Sequence, residues 1–332
     1  MKNTFFLAIN PGGISNRLKC LISMWRFAKK RNGELLLYWP KNKTCNVNFS
    51  DLFENKIKLF HKKDLIKIFK SKNYSLFNES LNILKKSKKE YVLSESWRWG
   101  LFKNDVKNGF AKENPSLYGK NIDLEFKRTP LKLRGEFLPY LKKLKPIKEI
   151  KEKVDLFDKK NNLKKLIGIH LRQGDFLNYR DGMEKIANTT RFSRKINDIL
   201  KKIPSQKFFL CTDSRRAEDY LRHKFPDKII SFEKSSFDRL DKKFNQEGLI
   251  DLLLLSKTKK IIGTYMSTFT ELAWWIGECK VEVDILATEK EKEKYLKHIK
   301  KSNKNLIDWI KKNIYNLIFS KHKRILNSNT SQ

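Results

Sequence analysis

Residues 166–175 read LIGIHLRQGD, an apolar strand that ends in charged residues. His170 and Arg172 stand two positions apart, so their side chains project from the same face of a strand. An imidazole and a guanidinium near a buried strand end are costly unless a partner pairs with them. One explanation is a structural salt bridge between Arg172 and Asp175. The other is a ligand site, because ligands of open α/β sheets bind at the carboxyl ends of the strands.

Short apolar strands alternate with amphipathic helices on both sides of this stretch. That alternation is typical of a parallel, doubly wound α/β sheet. We predict strands at 166–171, 207–211, 228–232, 260–263 and 281–285, and helices at 192–203, 215–225, 246–256 and 268–276.

A βαβ unit is also predicted at the N-terminal end, with a helix at 16–31 between strands at 4–9 and 35–39. The basic stretch 142–165, which contains Pro146, interrupts the alternation. We therefore predict two Rossmann-like α/β domains that face each other across a cleft. Their predicted limits are 1–150 on the acceptor side and 151–332 on the nucleotide-sugar side.

The composition indicates a folded protein of two domains. The chain has 332 residues, of which 39% are hydrophobic, including 23 Phe, 10 Tyr and 7 Trp, and this excludes disorder of the whole. The longest apolar runs fall far short of the roughly 18 residues that a transmembrane helix needs, so we expect no such helix. The widely spaced cysteines are typical of free buried thiols, from which we expect a reducing compartment and a cytoplasmic protein. The cysteines form no CxxC pair, which argues against zinc and against a disulfide framework. They are Cys20, Cys45, Cys211 and Cys279.

The formal net charge of +36 allows a second interpretation, binding to nucleic acid or to an anionic membrane. The lysines are spread through nearly every segment and lack an interleaved pattern of stacking aromatics, so we favour solvated faces and expect no nucleic-acid partner. Residues 302–325 have an amphipathic helical spacing. We expect that helix to pack across the domains, with peripheral membrane binding and a lipid-linked acceptor as the alternative.

A glycine pair follows the first predicted strand. Gly12 and Gly13 lie in the loop 11–17, where paired glycines let the backbone approach a ligand and the N–H groups of a helix start attract anions. A structural tight turn explains the pair about as well, because the loop has neither GxGxxG nor GK[ST].

Polar residues follow two further strands in the C-terminal half. Asp213 comes directly after the predicted strand 207–211 and Thr212, and residues 264–271 read TYMSTFTE before the helix at 268–276. Thr268 and Glu271 fit a capping box. A helix that begins beside Arg172 in this way predicts a diphosphate site at its start.

In this order, the segments resemble the nucleotide-sugar-dependent fucosyltransferase superfamily with the GT-B fold. That group includes nodulation-type α1,6-fucosyltransferases, α1,2-fucosyltransferases and protein O-fucosyltransferases. The resemblance implies two Rossmann-like domains with a C-terminal helix crossing them. It also implies inverting transfer of fucose from GDP-fucose to a glycan hydroxyl, without a metal or other cofactor. The matching segments are Gly12-Gly13-Ile14-Ser15-Asn16-Arg17, His170-Leu171-Arg172-Gln173-Gly174-Asp175, Cys211-Thr212-Asp213, Asp251-Leu252-Leu253-Leu254-Leu255-Ser256 and, after Gly263, Ser267-Thr268-Phe269.

The resemblance also implies roles for single residues. Arg172 would contact the β-phosphate and stabilise the charge on the departing GDP, while His170 would bind the nucleotide side of the donor. Asp213 matches an acidic position near the nucleotide. The diphosphate would be held by Ser267, Thr268 and Phe269, and the opposite domain would complete the site with Gly12, Gly13, Asn16 and Arg17.

The general base is left open among Asp175, Asp181 and Glu184. We prefer Asp175, with the alternative that it only orients Arg172. Gln173 stands where a second arginine often follows the first in the family, and this favours the nodulation-type branch over the α1,2-type. Two other functions remain open, which are transfer from another nucleotide sugar and a non-enzymatic basic protein.

Overall fold

The computed structural model describes residues 4–10, 12–71, 73–76, 91–94, 131–174, 186–265 and 267–291. These residues form two five-stranded sheets. Every strand pair within the two sheets is parallel. The predicted α/β class and parallel sheets are therefore confirmed.

The N-terminal sheet has the strand order β3-β2-β1-β5-β4. The central strand β1 is buried, and α1 lies between it and β2 along the chain with most of its residues buried. This is the predicted βαβ unit, although α1 begins two residues before the predicted start, because Gly13 takes the N-cap position with extended backbone. The elements are β1 (Phe5–Ile9), α1 (Ile14–Lys30), β2 (Glu34–Tyr38), β3 (Lys58–Leu59), α2 (Lys62–Ser71), β4 (Tyr74–Leu76) and β5 (Tyr91–Ser94).

The C-terminal sheet has the order β10-β9-β6-β7-β8, preceded along the chain by two helices. The predicted alternation holds in every element, and the differences lie at the ends. The helix α7 begins four residues before the predicted start, because the Asp241 side chain caps it by accepting the Lys243 N–H at 2.8 Å. The elements are α3 (Leu131–Lys142), α4 (Lys148–Asn161), β6 (Ile167–Leu171), α5 (Thr189–Lys202), β7 (Phe208–Thr212), α6 (Arg215–Lys224), β8 (Ile229–Ile230), α7 (Lys242–Leu255), β9 (Lys260–Gly263), α8 (Thr268–Ile276) and β10 (Glu282–Ile285).

One hydrophobic core continues from the N-terminal sheet into the C-terminal sheet. Phe137 of α3 meets Trp275 of α8 edge to face at 5.7 Å, and α4 packs on the C-terminal sheet through Phe157 and Phe209 at 5.5 Å. The domain limits at 150 and 151 stay a prediction. None of the helices within the described residues is both long and apolar enough to cross a membrane, and the predicted helix at 302–325 lies outside those residues.

A buried ion pair joins α1 to α8 inside this core. Lys19 Nζ lies 2.5 Å from Glu271 Oε2, and the two side chains are 2% and 1% exposed. Loss of one partner of such a pair leaves a buried charge without compensation, which is far more costly than the net contribution of the intact pair. The pair therefore fixes how α1 and α8 dock.

We predict that Lys19→Met lowers the free energy of unfolding by about 3–5 kcal/mol, because it removes the positive charge that faces the buried Glu271 carboxylate. Lys19→Met combined with Glu271→Leu should recover most of that loss. The measurement is urea unfolding followed by circular dichroism.

The matched control is Lys58→Met, which breaks the exposed pair between Lys58 and Glu34 at 2.9 Å. That change should cost less than about 1 kcal/mol. Equal losses in Lys19→Met and Lys58→Met would contradict the argument.

Candidate active site

The strand order of the C-terminal sheet reverses around β6, so β6 and β9 are neighbours with their carboxyl ends together. Thr264, directly after β9, connects the two strand ends. Its hydroxyl donates to the His170 carbonyl oxygen at 2.9 Å and accepts the Arg172 backbone N–H at 3.0 Å. Such a switch point is where ligands bind in open α/β sheets. His170 and Arg172 therefore lie where the sequence places them.

Asp213 anchors the turn that carries Arg172. Its Oδ1 accepts the backbone N–H groups of Gln173 at 2.8 Å and Gly174 at 3.0 Å, and its Oδ2 accepts from Arg239 Nη2 at 2.8 Å. Gly174 is required at this approach, since a Cβ there would lie 2.7 Å from Asp213 Oδ2. Asp213 thus shapes the turn, and the donor contact that the resemblance implies for it stays a prediction.

The charge of Asp213 is set by its surroundings. Burial alone would raise the pKa of the carboxyl group, but the charge of Arg172, the two N–H groups of the turn and the charge of Arg239 together hold the pKa below its ordinary value. Asp213 is therefore ionised at neutral pH. Asp175, the predicted partner of Arg172, lies outside the described residues, as do Asp181 and Glu184.

The Gln173 side chain points away from Asp213. Its Nε2 donates to the Ala187 carbonyl oxygen at 3.1 Å and to Thr189 Oγ1 at 3.0 Å. The turn is thereby tied to the start of α5. Gln173 supports the position of Arg172 and adds no positive charge at this position.

His170 is buried and neutral. Its ring stacks on Phe269 with centroids 4.5 Å apart, and its Nδ1 lies 2.8 Å from Thr270 Oγ1. Burial is the main cause that lowers its pKa to about 3; Asp213 opposes the shift, and Arg172 and Lys234 add to it. At neutral pH the imidazole can offer a flat face and a hydrogen bond but no charge.

Ser267 is the N-cap residue of α8. The predicted capping box of Thr268 with Glu271 is wrong, because the Glu271 carboxylate binds Lys19 of α1. Ser267 Oγ is buried and has no hydrogen-bond partner among the described residues. The helix start thus combines backbone N–H groups, a spare hydroxyl and Phe269 stacked on His170.

The Arg17 side chain holds the loop at the end of β1 in place through hydrogen bonds to backbone carbonyl groups. Its Nε donates to the Gly12 carbonyl oxygen at 2.6 Å and its Nη1 to the Pro40 carbonyl oxygen at 2.7 Å, while the guanidinium lies 5.0 Å from the Trp39 ring centroid. Arg17 is 2% exposed. Within the described residues, its Nη2 and the Oδ1 of Asn16 have no partner.

The two helix starts are adjacent, because Lys19 and Glu271 link the second turn of α1 to the first turn of α8. The structure therefore brings the region of Gly12, Gly13 and Asn16 to the same interface as α8. Direct contact of these residues with a ligand stays a prediction.

Sequence reasoning missed a buried pair beneath the site. Lys234 Nζ lies 2.5 Å from Asp251 Oδ2 and donates to the Thr212 carbonyl oxygen at 2.6 Å. Burial raises the pKa of Asp251 to about 6, although the charge of Lys234 opposes the shift. The pair supports the end of β7, directly before Asp213. No local pattern around Lys234 could have indicated it.

Within the described residues, no three His, Cys, Asp or Glu side chains are grouped so that they could hold a metal ion. Metal-free chemistry stays a prediction.

No protein-family model matches the chain, and no curated protein sequence matches it. Solved structures of fucosyltransferases do match. NodZ fucosyltransferase from Bradyrhizobium is 15% identical over 82% of this chain and 92% of NodZ, with a TM-score of 0.53. NodZ α-1,6-fucosyltransferase soaked with GDP-fucose is 16% identical over 83% and 93%, with a TM-score of 0.52. A mutant of Arabidopsis thaliana FUT1 in complex with GDP is 14% identical over 87% and 71%, with a TM-score of 0.53. The chain has the GT-B fold of these fucosyltransferases, as predicted.

The low pKa of His170 predicts acid sensitivity. The unfolded imidazole takes up a proton near pH 6.5 and the folded one only near pH 3, so the unfolded state binds more protons between these values. Relative to His170→Gln, the wild type should lose stability as the pH falls through this window. The slope should reach at most about 1.4 kcal/mol per pH unit.

The measurement is urea unfolding of both proteins at several pH values, with the imidazole signal followed by NMR. A difference between the two proteins that stays constant with pH would contradict the neutral, buried imidazole.

Proposed function

We propose that the chain is an inverting glycosyltransferase that transfers fucose from GDP-fucose to a glycan hydroxyl. The observation that carries the proposal is the position of Arg172. It lies at the switch point of the C-terminal sheet, on a turn fixed by Thr264 and Asp213. The GT-B fold shared with fucosyltransferases whose structures contain GDP or GDP-fucose supports the choice of donor.

Donor binding would use cationic and N–H groups that are already in place. Arg172 would bind the diphosphate through charge-assisted hydrogen bonds. The start of α8 would add backbone N–H groups and the Ser267 hydroxyl, which has no partner within the described part of the chain. The neutral His170, backed by Phe269, would lie against the nucleotide.

The chemical step exchanges one bond for another at the anomeric carbon of the sugar. The acceptor oxygen forms a bond to this carbon while the bond to the β-phosphate oxygen breaks, and inversion follows from attack on the opposite face. Charge builds on the departing GDP, and Arg172 would stabilise it. The acceptor proton passes to a general base, for which Asp175, Asp181 and Glu184 stay the candidates.

We predict that Arg172→Ala lowers kcat for transfer from GDP-fucose by about 10²- to 10³-fold, because it removes a group that stabilises charge in the transition state. The turn should keep its conformation, since the substitution retains the backbone N–H groups that Thr264 and Asp213 bind. The measurement is release of GDP in the presence of glycan acceptors, together with the unfolding midpoint.

The control is Arg216→Ala, which removes an exposed arginine on α6 and should leave kcat unchanged. An Arg172→Ala variant as active as the wild type would refute the proposal.

A thermal-shift panel of GDP, UDP and ADP tests the donor. A ligand that binds only the folded state stabilises it in proportion to ln(1 + [L]/Kd), so the preferred nucleotide gives the largest shift. We expect GDP to exceed the other two. A larger rise in melting temperature with UDP or ADP would show that the donor carries that nucleotide and not GDP. No rise with any of the three would refute the proposal of a nucleotide-sugar transferase.

A further inference from the structure

Thr270, in the first turn of α8, holds the imidazole ring of His170. Its Oγ1 lies 2.8 Å from His170 Nδ1, and both residues are buried, with 0% and 5% of their surface exposed. Thr270 also packs against the backbone of Gly263, where a Cβ would lie 2.5 Å from Thr270 Cγ2 and 2.8 Å from its Oγ1. Because a β-branched side chain rotates little about χ1, the hydroxyl is held at Nδ1.

The ring of His170 has little freedom of its own. Phe269 stacks on it at 4.5 Å with an angle of 21° between the two planes. The His170 carbonyl oxygen accepts from the backbone N–H of Thr264 at 3.1 Å and from its hydroxyl at 2.9 Å. A flip of the ring would bring a carbon atom to the Thr270 hydroxyl and would lose the hydrogen bond. Nδ1 is therefore the ring atom that faces Thr270.

The hydrogen bond between Thr270 and His170 has two possible directions. A neutral imidazole carries one proton, either on Nδ1 or on Nε2. A proton on Nδ1 would be donated to Thr270 Oγ1, and the Thr270 O–H would then have no acceptor, because Oγ1 has no second hydrogen-bond partner within the described residues. A buried donor without an acceptor is costly. With Nδ1 unprotonated, the Thr270 hydroxyl donates to it and both groups are satisfied.

The second direction places the proton on Nε2. This nitrogen has no hydrogen-bond partner within the described part of the chain, and its ring lies at the switch point of the C-terminal sheet. We propose that Thr270 is a positioning residue that holds His170 in the Nε2–H tautomer, so that the ring donates a hydrogen bond to an acceptor oxygen of the nucleotide sugar. This inference rests on the proposed function, because it assumes that such a ligand binds here.

The tautomer is measured by NMR of the full chain with ¹⁵N-labelled histidine. In the wild type, Nδ1 of His170 should show the chemical shift of an unprotonated nitrogen and Nε2 that of a protonated one, with and without GDP. The chain has five histidines, and His170→Gln identifies the signals of His170 by their loss. Thr270→Val keeps the side-chain shape but removes the hydroxyl, so the signals should move toward a mixture of the two tautomers.

Binding of GDP is measured by isothermal titration calorimetry. Thr270→Val should weaken GDP binding about tenfold, the effect of losing one hydrogen bond to the ligand. Thr270→Ser retains the hydroxyl donor and should bind GDP within about threefold of the wild type, with the wild-type tautomer.

The matched control is Thr258→Val. Thr258 is also buried, with 2% of its surface exposed, and its hydroxyl donates to the Leu255 carbonyl oxygen at 2.8 Å, before the opposite end of β9. This variant loses a buried hydroxyl of the same kind. It should leave the Kd for GDP and the His170 signals unchanged.

The outcomes are distinct. A protonated Nδ1 in the wild type would overturn the inference and leave the proposed function standing, as would wild-type binding of GDP by Thr270→Val. Equal loss of GDP binding in Thr270→Val and either Thr270→Ser or Thr258→Val would show a structural effect and would also overturn it. A wild type that does not bind GDP would refute the proposed function and the contact with the nucleotide sugar, whereas the tautomer in the free protein would still decide the role of Thr270.

Discussion

A buried lysine and a buried glutamate set the relation between the two halves of the molecule. Lys19 and Glu271 lie beside the continuous core, where the charge of each offsets much of the cost of burying the other. Apolar side chains can often repack in more than one arrangement, but an ion pair of this kind is compatible with one register. The start of α1, which follows the central strand β1, and the start of α8, which follows β9, therefore meet at a defined place, and the candidate site is built there.

The site itself is organised around a carboxylate that does not need to touch a ligand. Asp213 accepts the N–H groups of Gln173 and Gly174 and binds Arg239, and so it determines where Arg172 is presented. The imidazole of His170 is kept neutral by burial. The positive charge is thus concentrated on guanidinium groups, which stay protonated at any physiological pH and bind phosphate in a fixed geometry.

The sequence predicted what depends on neighbouring residues. Alternation of apolar and polar positions located β6, β9 and α8, and the strand-end rule placed His170 and Arg172 at the switch point. Prediction from the local sequence failed where a side chain binds a partner that is distant along the chain and not the neighbour that its spacing suggests. Glu271 is correctly spaced for a capping box with Thr268, yet it binds Lys19, which is 252 residues away along the chain.

Arg239 was overlooked for the same reason, since only the folded structure brings it to Asp213.

The hydrogen bonds of the Gln173 side chain affect how readily the length of the chain after residue 174 can change during evolution. Gln173 Nε2 contacts Ala187 and Thr189, so the chain is fastened to itself on both sides of residues 175–185. Lengthening a chain segment between two points that are already joined adds little entropic cost, since each doubling of its length costs only about 0.6 kcal/mol. Changes of length between residues 174 and 186 can therefore accumulate during evolution while Arg172 and Asp213 keep their positions.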